Sequence, residues 1–107
     1  METTPAEVKR RMDAGEPIIL IDVREPEEYQ LARIEGSHLI PMKTVPAAIS
    51  ELEEKAEVGT LVFLCHHGVR SANVVNYLRG QGITASQTMS GGIDRWSLEI
   101  DSSVPRY

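Results

Sequence analysis

The chain has 107 residues, enough for one hydrophobic core and no more, so its length predicts a single domain over residues 1–107. Its 16 acidic and 11 basic residues give a net charge of −5, which argues against nucleic acid as a partner. No apolar stretch approaches the roughly 20 residues that cross a bilayer. The N-terminus also lacks the apolar core of a secretory signal, so we expect a cytoplasmic protein that binds no membrane.

Helix caps, prolines, glycines and apolar runs divide the chain into alternating helices and strands. Pro5 is typical of a first helical turn, and Gly15 of a helix stop. Continuous apolar runs are typical of strands buried on both faces of a sheet. The predicted elements are a helix over 6–15, a strand over 18–21, a helix over 25–32, a strand over 37–42, a helix over 46–58, a strand over 60–64, a helix ending near residue 80, a strand over 85–89, a helix over 92–98 and an irregular tail over 101–107.

This alternation predicts the fold class. Strands separated by helices pair in parallel, with helices on both faces of one sheet. We therefore predict an α/β domain with a small, mostly parallel central sheet of about five strands. The strand over 60–64 is apolar almost throughout and is predicted to be central. The predicted inner residues of the helix over 46–58 are Ala47, Ala48, Ile49 and Leu52.

The chain has one cysteine, Cys65, directly after the predicted central strand. A lone cysteine excludes an internal disulfide and a CxxC redox or zinc site, and it is most often a buried, inert residue. Here, however, a helix is predicted to begin within about six residues, at the sheet edge where α/β proteins bind ligands. N–H groups in such a turn lack helical partners and can converge on an anion.

The loop over 66–71 has the residues that a reactive thiolate needs. Gly68 allows the tight turn from strand to helix. A thiol at a helix N-terminus beside an arginine ionises readily and is then nucleophilic. Arg70 is permanently charged and can bind an oxyanion or an anionic persulfide. We therefore predict Cys65 as the nucleophile, with a substrate-binding loop that consists of His66, His67, Gly68, Val69, Arg70 and Ser71.

Two chemistries use a thiolate in an anion cradle of this kind, sulfur transfer and phosphate-ester hydrolysis. Four residues separate Cys65 from Arg70, one fewer than in cysteine phosphatases. The shorter loop predicts a cradle that suits a bound sulfur better than a full phosphoryl group. A phosphatase also needs an acid for its leaving group, and no residue is assigned to that role. The sequence therefore favours sulfur transfer, with a cysteine-based phosphatase or arsenate reductase as the less favoured alternative.

Adjacent histidines beside a cysteine raise the question of a metal site. Consecutive loop residues are expected to point their side chains apart, and no carboxylate or second cysteine completes a ligand set. We therefore expect no metal. His66 and His67 are expected to contribute backbone N–H groups and a polar or partly cationic rim.

Other polar motifs allow structural interpretations. Asp22 and Arg24, at the end of a predicted strand, are either catalytic groups or a pair that braces neighbouring loops. The acidic runs over 25–28 and 51–54 are expected to be solvated helix faces. Trp96 is expected to anchor the last helix in the core.

Several ordered motifs resemble the rhodanese family over nearly the whole chain. They are IDVREPEEY (21–29), GSHLIPM (36–42), LVFLCHHGVRS (61–71) and GGIDRW (91–96). The resemblance implies a rhodanese-like α/β domain in which Cys65 accepts sulfane sulfur as a persulfide and then passes it on. It also implies a small sulfur anion such as thiosulfate, or another persulfide, as donor. Cyanide, a thiol or a sulfur-relay protein would be the acceptor, and no metal or organic cofactor is implied.

The segment over 33–36 departs from the family pattern. Arg33 and Glu35 stand where the family commonly has His and Pro, and we expect them to reshape the pocket rim. The closing segment over 91–107 resembles a tail of bacterial members, which favours a bacterial source. The leading prediction is a thiosulfate sulfurtransferase, and the alternative is a persulfide carrier that acts only with protein partners.

Overall fold

A computed structural model describes residues 1–107, and its strands form one five-stranded sheet. The strands are β1 (Glu2–Thr3), β2 (Ile18–Asp22), β3 (His38–Leu39), β4 (Thr60–Leu64) and β5 (Gln87–Met89). The α-helices are α1 (Pro5–Asp13), α2 (Pro26–Leu31), α3 (Ile49–Val58), α4 (Val69–Gly80) and α5 (Gly92–Glu99), and a 3-10 helix spans Met42–Ala48. None of these helices has the length and apolarity that a membrane span requires.

The sheet is parallel throughout, with the order β1-β5-β4-β2-β3. β4 lies at its centre, and its pairing with β2 runs from Ile18 opposite Thr60 to Asp22 opposite Leu64. The predictions of a parallel α/β fold and a central strand over 60–64 are confirmed. Because β2 and β4 are parallel neighbours, their carboxyl ends lie side by side, so the residues that follow them meet at one edge.

Two apolar layers cover the two faces of the sheet. Successive residues of a strand point to opposite faces. Phe63 of β4 therefore packs in one layer with Leu78 of α4, whereas Val62 packs in the other with Trp96 of α5. Trp96 is 5% exposed, which confirms its predicted place in the core. Together the layers hold the central strand, and the loop that follows it, in a fixed position.

Local structure differs from the predictions at four points, one of which is that the strand over 85–89 shortens to the three residues of β5. The polar strand β1 was not predicted, and it exists because it pairs with the distant β5. The predicted strand over 37–42 shortens to the two residues of β3. The segment around Pro46 forms a 3-10 helix before α3 rather than the first turn of an α-helix. Because a 3-10 helix turns more tightly than an α-helix, Ala47 is exposed, and its prediction as an inner residue is wrong.

Candidate active site

Cys65 lies directly beyond the carboxyl end of β4, where the 66–71 loop begins. Its side chain is buried, and the residue is 1% exposed. The backbone N–H of Gly68 donates to Sγ at 3.0 Å, and that of Ser71 at 3.4 Å. Both donors lie at the start of α4, where N–H groups have no helical acceptor. The predicted loop therefore surrounds the sulfur with donors that stabilise a negative charge on it.

Gly68 makes this turn from strand to helix. It is the N-cap of α4 and has φ 112°, in the left-handed region that side chains other than glycine's rarely adopt. A Cβ there would also lie 3.3 Å from the backbone nitrogen of Gly91. The glycine is therefore needed both for the conformation of the loop and for its contact with the segment before α5.

The N-terminus of α5 holds the loop from the other side. The N–H of Ile93 donates to the carbonyl of Cys65 at 2.9 Å, and that of Asp94 to the carbonyl of His66 at 3.2 Å. Gly92, with φ 60°, makes this approach feasible, because a Cβ at Gly92 would overlap both carbonyl oxygens. From the sequence, Gly91 and Gly92 were identified only as part of the GGIDRW motif. The adjacent pair of glycines was the signal that another backbone comes close.

Two buried hydroxyl groups continue the cradle beneath the sulfur. Ser71 Oγ lies 3.6 Å from Cys65 Sγ and 2.7 Å from Thr88 Oγ1. Either hydroxyl can donate in the bond between Ser71 and Thr88, and the Cys65 thiol donates to Ser71 Oγ. The Ser71 hydroxyl donates to the carbonyl of Gly68 at 3.3 Å. A hydroxyl can also donate to an anion, so Ser71, held in place by Thr88, is positioned to donate to a thiolate at Cys65.

We expect Thr88→Val to slow the alkylation of Cys65 by iodoacetamide at neutral pH about threefold, because one neutral hydrogen bond contributes about 0.5–1.5 kcal/mol. Thr88→Ser keeps the hydroxyl and is the matched control, which should react at the wild-type rate. The measurement is the second-order alkylation rate, followed by intact mass. Equal rates in the valine variant and the wild type would contradict an orienting role for Thr88.

Arg70 forms its ion pair with Glu28 of α2. Its Nη1 and Nη2 atoms donate to the two carboxylate oxygens of Glu28 at 2.7 and 2.9 Å. This fork holds the pKa of Glu28 down to about 2 and raises the pKa of Arg70. The side chain of Glu28 is 20% exposed, so the prediction that the acidic run over 25–28 is a solvated face is wrong for this residue.

The tail over 101–107 has no regular structure, as predicted, but its last residue packs onto the 66–71 loop. The Tyr107 hydroxyl donates to Glu28 Oε2 at 2.7 Å and accepts a hydrogen bond from Arg24 Nη1 at 2.8 Å. Burial raises the pKa of Tyr107 to about 12. Its ring stacks on that of His66 with centroids 4.0 Å apart. This contribution was not predicted from the sequence, where an aromatic residue in a polar tail was the sole signal for it.

Asp22 and Arg24 form a buried ion pair at the end of β2. Both side chains are 0% exposed, and Arg24 Nε and Nη2 donate to the Asp22 carboxylate at 2.9 and 2.6 Å. Arg24 also donates to the backbone carbonyls of Ala32 and Glu28. Of the two interpretations, these contacts favour the brace, because they tie the end of β2 to α2 and provide no bond to the sulfur.

The side chains of His66 and His67 do not point apart, contrary to the prediction. Their ring centroids are 3.9 Å apart, because His66 is stacked between His67 and Tyr107. Burial, followed by the neighbouring His67, lowers the pKa of His66, which opposes a cationic rim at this residue. The buried Nε2 atom of His66 has no hydrogen-bond partner. No three His, Cys, Asp or Glu side chains are grouped as metal ligands would be.

Arg33 and Glu35 line a different surface from the 66–71 loop. Together with Trp96, they border a groove of about 450 Å³ beside α1 and the tail. The Arg33 guanidinium also lies over the ring of Tyr29, 5.1 Å from its centroid. The expectation that these residues reshape the rim does not agree with this position, because the connection between α2 and β3 passes along the face that α1 and α5 cover.

Comparison with known proteins places this chain in a larger group. Residues 4–99 match the family model described as the rhodanese-like domain. The thiosulfate sulfurtransferase GlpE of Pseudoalteromonas translucida is 28% identical over 91 residues, which cover 85% of this chain and 84% of that protein. Among solved structures, a rhodanese-like domain protein from Staphylococcus aureus is 31% identical, with a TM-score of 0.79 and coverage of 100% of this chain and 99% of that one.

A longer plant protein is also similar. The adenylyltransferase and sulfurtransferase MOCS3-1 of Zea mays is 37% identical over 108 residues, which cover 97% of this chain. The chain spans 23% of the length of that protein and 22% of the length of the related MOCS3-2. The similarity to these plant proteins therefore concerns one part of each.

Proposed function

The chain belongs to the rhodanese-like domain family, and from that premise we propose that it is a sulfurtransferase in which Cys65 holds sulfane sulfur as a persulfide. One observation above all supports this proposal: the N–H groups of Gly68 and Ser71 both point at the buried Sγ of Cys65. Fixed backbone donors stabilise, without reorganisation, the Cys65 thiolate that attacks the sulfur donor and that leaves again when the sulfur is passed on. The sulfurtransferase names of several relatives agree with this chemistry.

We propose the following reaction for thiosulfate as donor. The Cys65 thiolate attacks the outer sulfur, a new S–S bond forms, the old S–S bond breaks, and sulfite leaves with the electron pair. The outer sulfur of the persulfide then lies near the first-turn N–H groups of Val69 and Arg70, which have no helical acceptors. In the second step a cyanide ion or a thiolate attacks that sulfur, and Cys65 leaves as the thiolate.

The acceptor lies outside the described chain. There is no second cysteine among the 107 residues, so a persulfide on Cys65 is not resolved here as a disulfide. The sulfur must pass to another molecule, which on this proposal is cyanide, a small thiol or a sulfur-relay protein. The loop offers an accessible face for a protein acceptor, since Val69 is 72% exposed beside the site.

Intact-mass spectrometry tests the proposal directly. We expect the purified protein to gain one sulfur atom after incubation with thiosulfate or with a small thiol persulfide. Peptide mapping should place that sulfur on Cys65, and addition of cyanide should remove it as thiocyanate. Failure of both donors to add sulfur would overturn the proposal. Hydrolysis of a chromogenic phosphate ester at this site would instead favour the phosphatase alternative.

A further inference from the structure

Arg70 is the permanent cation of the 66–71 loop, and its charge is already compensated. Two of its N–H groups are engaged by Glu28 in a forked ion pair. Such a fork is the geometry with which an arginine would otherwise bind a dianion. A sulfur donor that approaches Cys65 therefore meets a neutral Arg70–Glu28 pair rather than a free guanidinium.

Glu28 is held in this position from several sides. Its Oε1 atom accepts the backbone N–H of Glu25 at 3.0 Å, in the capping box that begins α2. Its Oε2 atom accepts the Tyr107 hydroxyl at 2.7 Å, and that hydroxyl is fixed by the buried Arg24. The pKa of Glu28, about 2, leaves the carboxylate charged at neutral pH. Glu28 is therefore a fixed negative charge at the edge of the loop.

We propose that Glu28 is a specificity-determining residue that disfavours dianionic sulfur donors such as thiosulfate relative to monoanionic thiol persulfides. The inference rests on the proposed function. A dianion gains most from a free guanidinium and is repelled most by a fixed carboxylate, because Coulomb energy scales with charge. A monoanion has half the charge and is affected less. The N–H groups of Gly68 and Ser71, which donate to Sγ, stabilise the Cys65 thiolate equally whichever sulfur compound it attacks.

The chemistry of the favoured donor balances without a further reactant. In a thiol persulfide, the outer sulfur is bound to the sulfur of the parent thiol. The Cys65 thiolate attacks the outer sulfur, the S–S bond of the donor breaks, and the parent thiolate leaves with the electron pair. Neither the attack of the thiolate nor the departure of the parent thiolate depends on Arg70 as an anion receptor. Neutralisation of Arg70 by Glu28 is therefore less harmful to this reaction than to the reaction with thiosulfate.

Glu28→Gln and Glu27→Gln form a matched pair for the test. Glutamine at position 28 removes the charge and keeps an oxygen for the capping box. Glu27 lies in the same helical turn and is exposed, but it does not take part in the Arg70 ion pair. Its replacement therefore removes the same formal charge without freeing Arg70. Thermal unfolding of both variants checks that the fold is retained. The donors are thiosulfate and the persulfide of 2-mercaptoethanol, which has no other charged group.

The measured quantity is the rate at which Cys65 gains sulfur. Samples are quenched at successive times, and their intact mass gives the fraction of protein that carries the added sulfur. Glu28→Gln is expected to raise the second-order loading rate with thiosulfate about tenfold and the rate with the persulfide by no more than about twofold. Glu27→Gln should leave the ratio of the two rates unchanged. Equal effects of Glu28→Gln on both donors, or no gain with thiosulfate, would overturn the inference and leave the sulfurtransferase proposal intact. Failure of the wild type to gain sulfur from either donor would overturn the proposed function itself.

Discussion

Cys65→Ser is expected to abolish persulfide formation and to lower thiocyanate production from thiosulfate and cyanide by at least about a thousandfold. A serine hydroxyl is not ionised at neutral pH and forms no persulfide, although it fits the same space. The chain offers no substitute, since Cys65 is its one cysteine. The assay is thiocyanate formation, together with the intact mass after exposure to thiosulfate.

The fold of this variant should persist. Cys65 belongs to the apolar layer that contains Phe63, and the substitution removes little volume from that layer. Serine can also keep the hydrogen bonds from the N–H groups of Gly68 and Ser71. We expect a thermal unfolding midpoint within a few degrees of the wild type, at a cost of about 1 kcal/mol. Sulfur transfer by a folded Cys65→Ser variant would show that Cys65 is not the nucleophile.

Gly92→Ala is expected to lower the free energy of unfolding by about 2–4 kcal/mol, as the sum of a left-handed backbone penalty and a steric overlap. Gly92 has φ 60°, and a Cβ there would overlap the carbonyl oxygens of Cys65 and His66. The backbone of the 66–71 loop would have to move. Because catalysis is sensitive to displacements of about 1 Å, we expect sulfur transfer to fall about a hundredfold.

Gly15→Ala is the matched control for this substitution. Gly15 also has a positive φ, 84°, but a Cβ there would meet nothing within 4 Å. The Gly15→Ala variant should lose only the backbone penalty, about 1–2 kcal/mol of the free energy of unfolding, and should keep the wild-type rate of sulfur transfer. The two quantities to compare are the denaturant midpoint and kcat/KM for thiosulfate. Equal losses of stability and activity in both variants would contradict the contact between α5 and the Cys65 loop.

The features that the sequence predicted are local ones. The apolar run of β4, the cysteine that follows it and the start of α4 lie within twenty-one consecutive residues, 60–80. A stretch of this length is enough to recognise the periodicity of a strand and of a helix, and the glycine and first helical turn between them. For this reason the sequence predicts the loop over 66–71 and N–H groups that converge beside Cys65.

The features that the sequence did not predict depend on distant polar residues. Arg70 and Glu28 are 42 positions apart, and Tyr107 and Arg24 are 83 positions apart. Hydrogen bonds between such side chains leave no periodic pattern, so an acidic residue on a helix is interpreted as solvated by default. Glu28 was misinterpreted in this way. The sequence placed Arg70 in the loop, but its partner depends on the packing of α2 against that loop.

The strand order has a consequence for behaviour at high concentration. β1 and β3, the two edge strands, have two residues each. A long exposed edge offers a row of unpaired N–H and C=O groups onto which another chain can add a strand, and short edge strands limit such pairing. The longest strands, β2 and β4, are both interior. The sheet therefore presents little template for edge-to-edge aggregation, while its carboxyl end leaves the Cys65 loop open to other molecules.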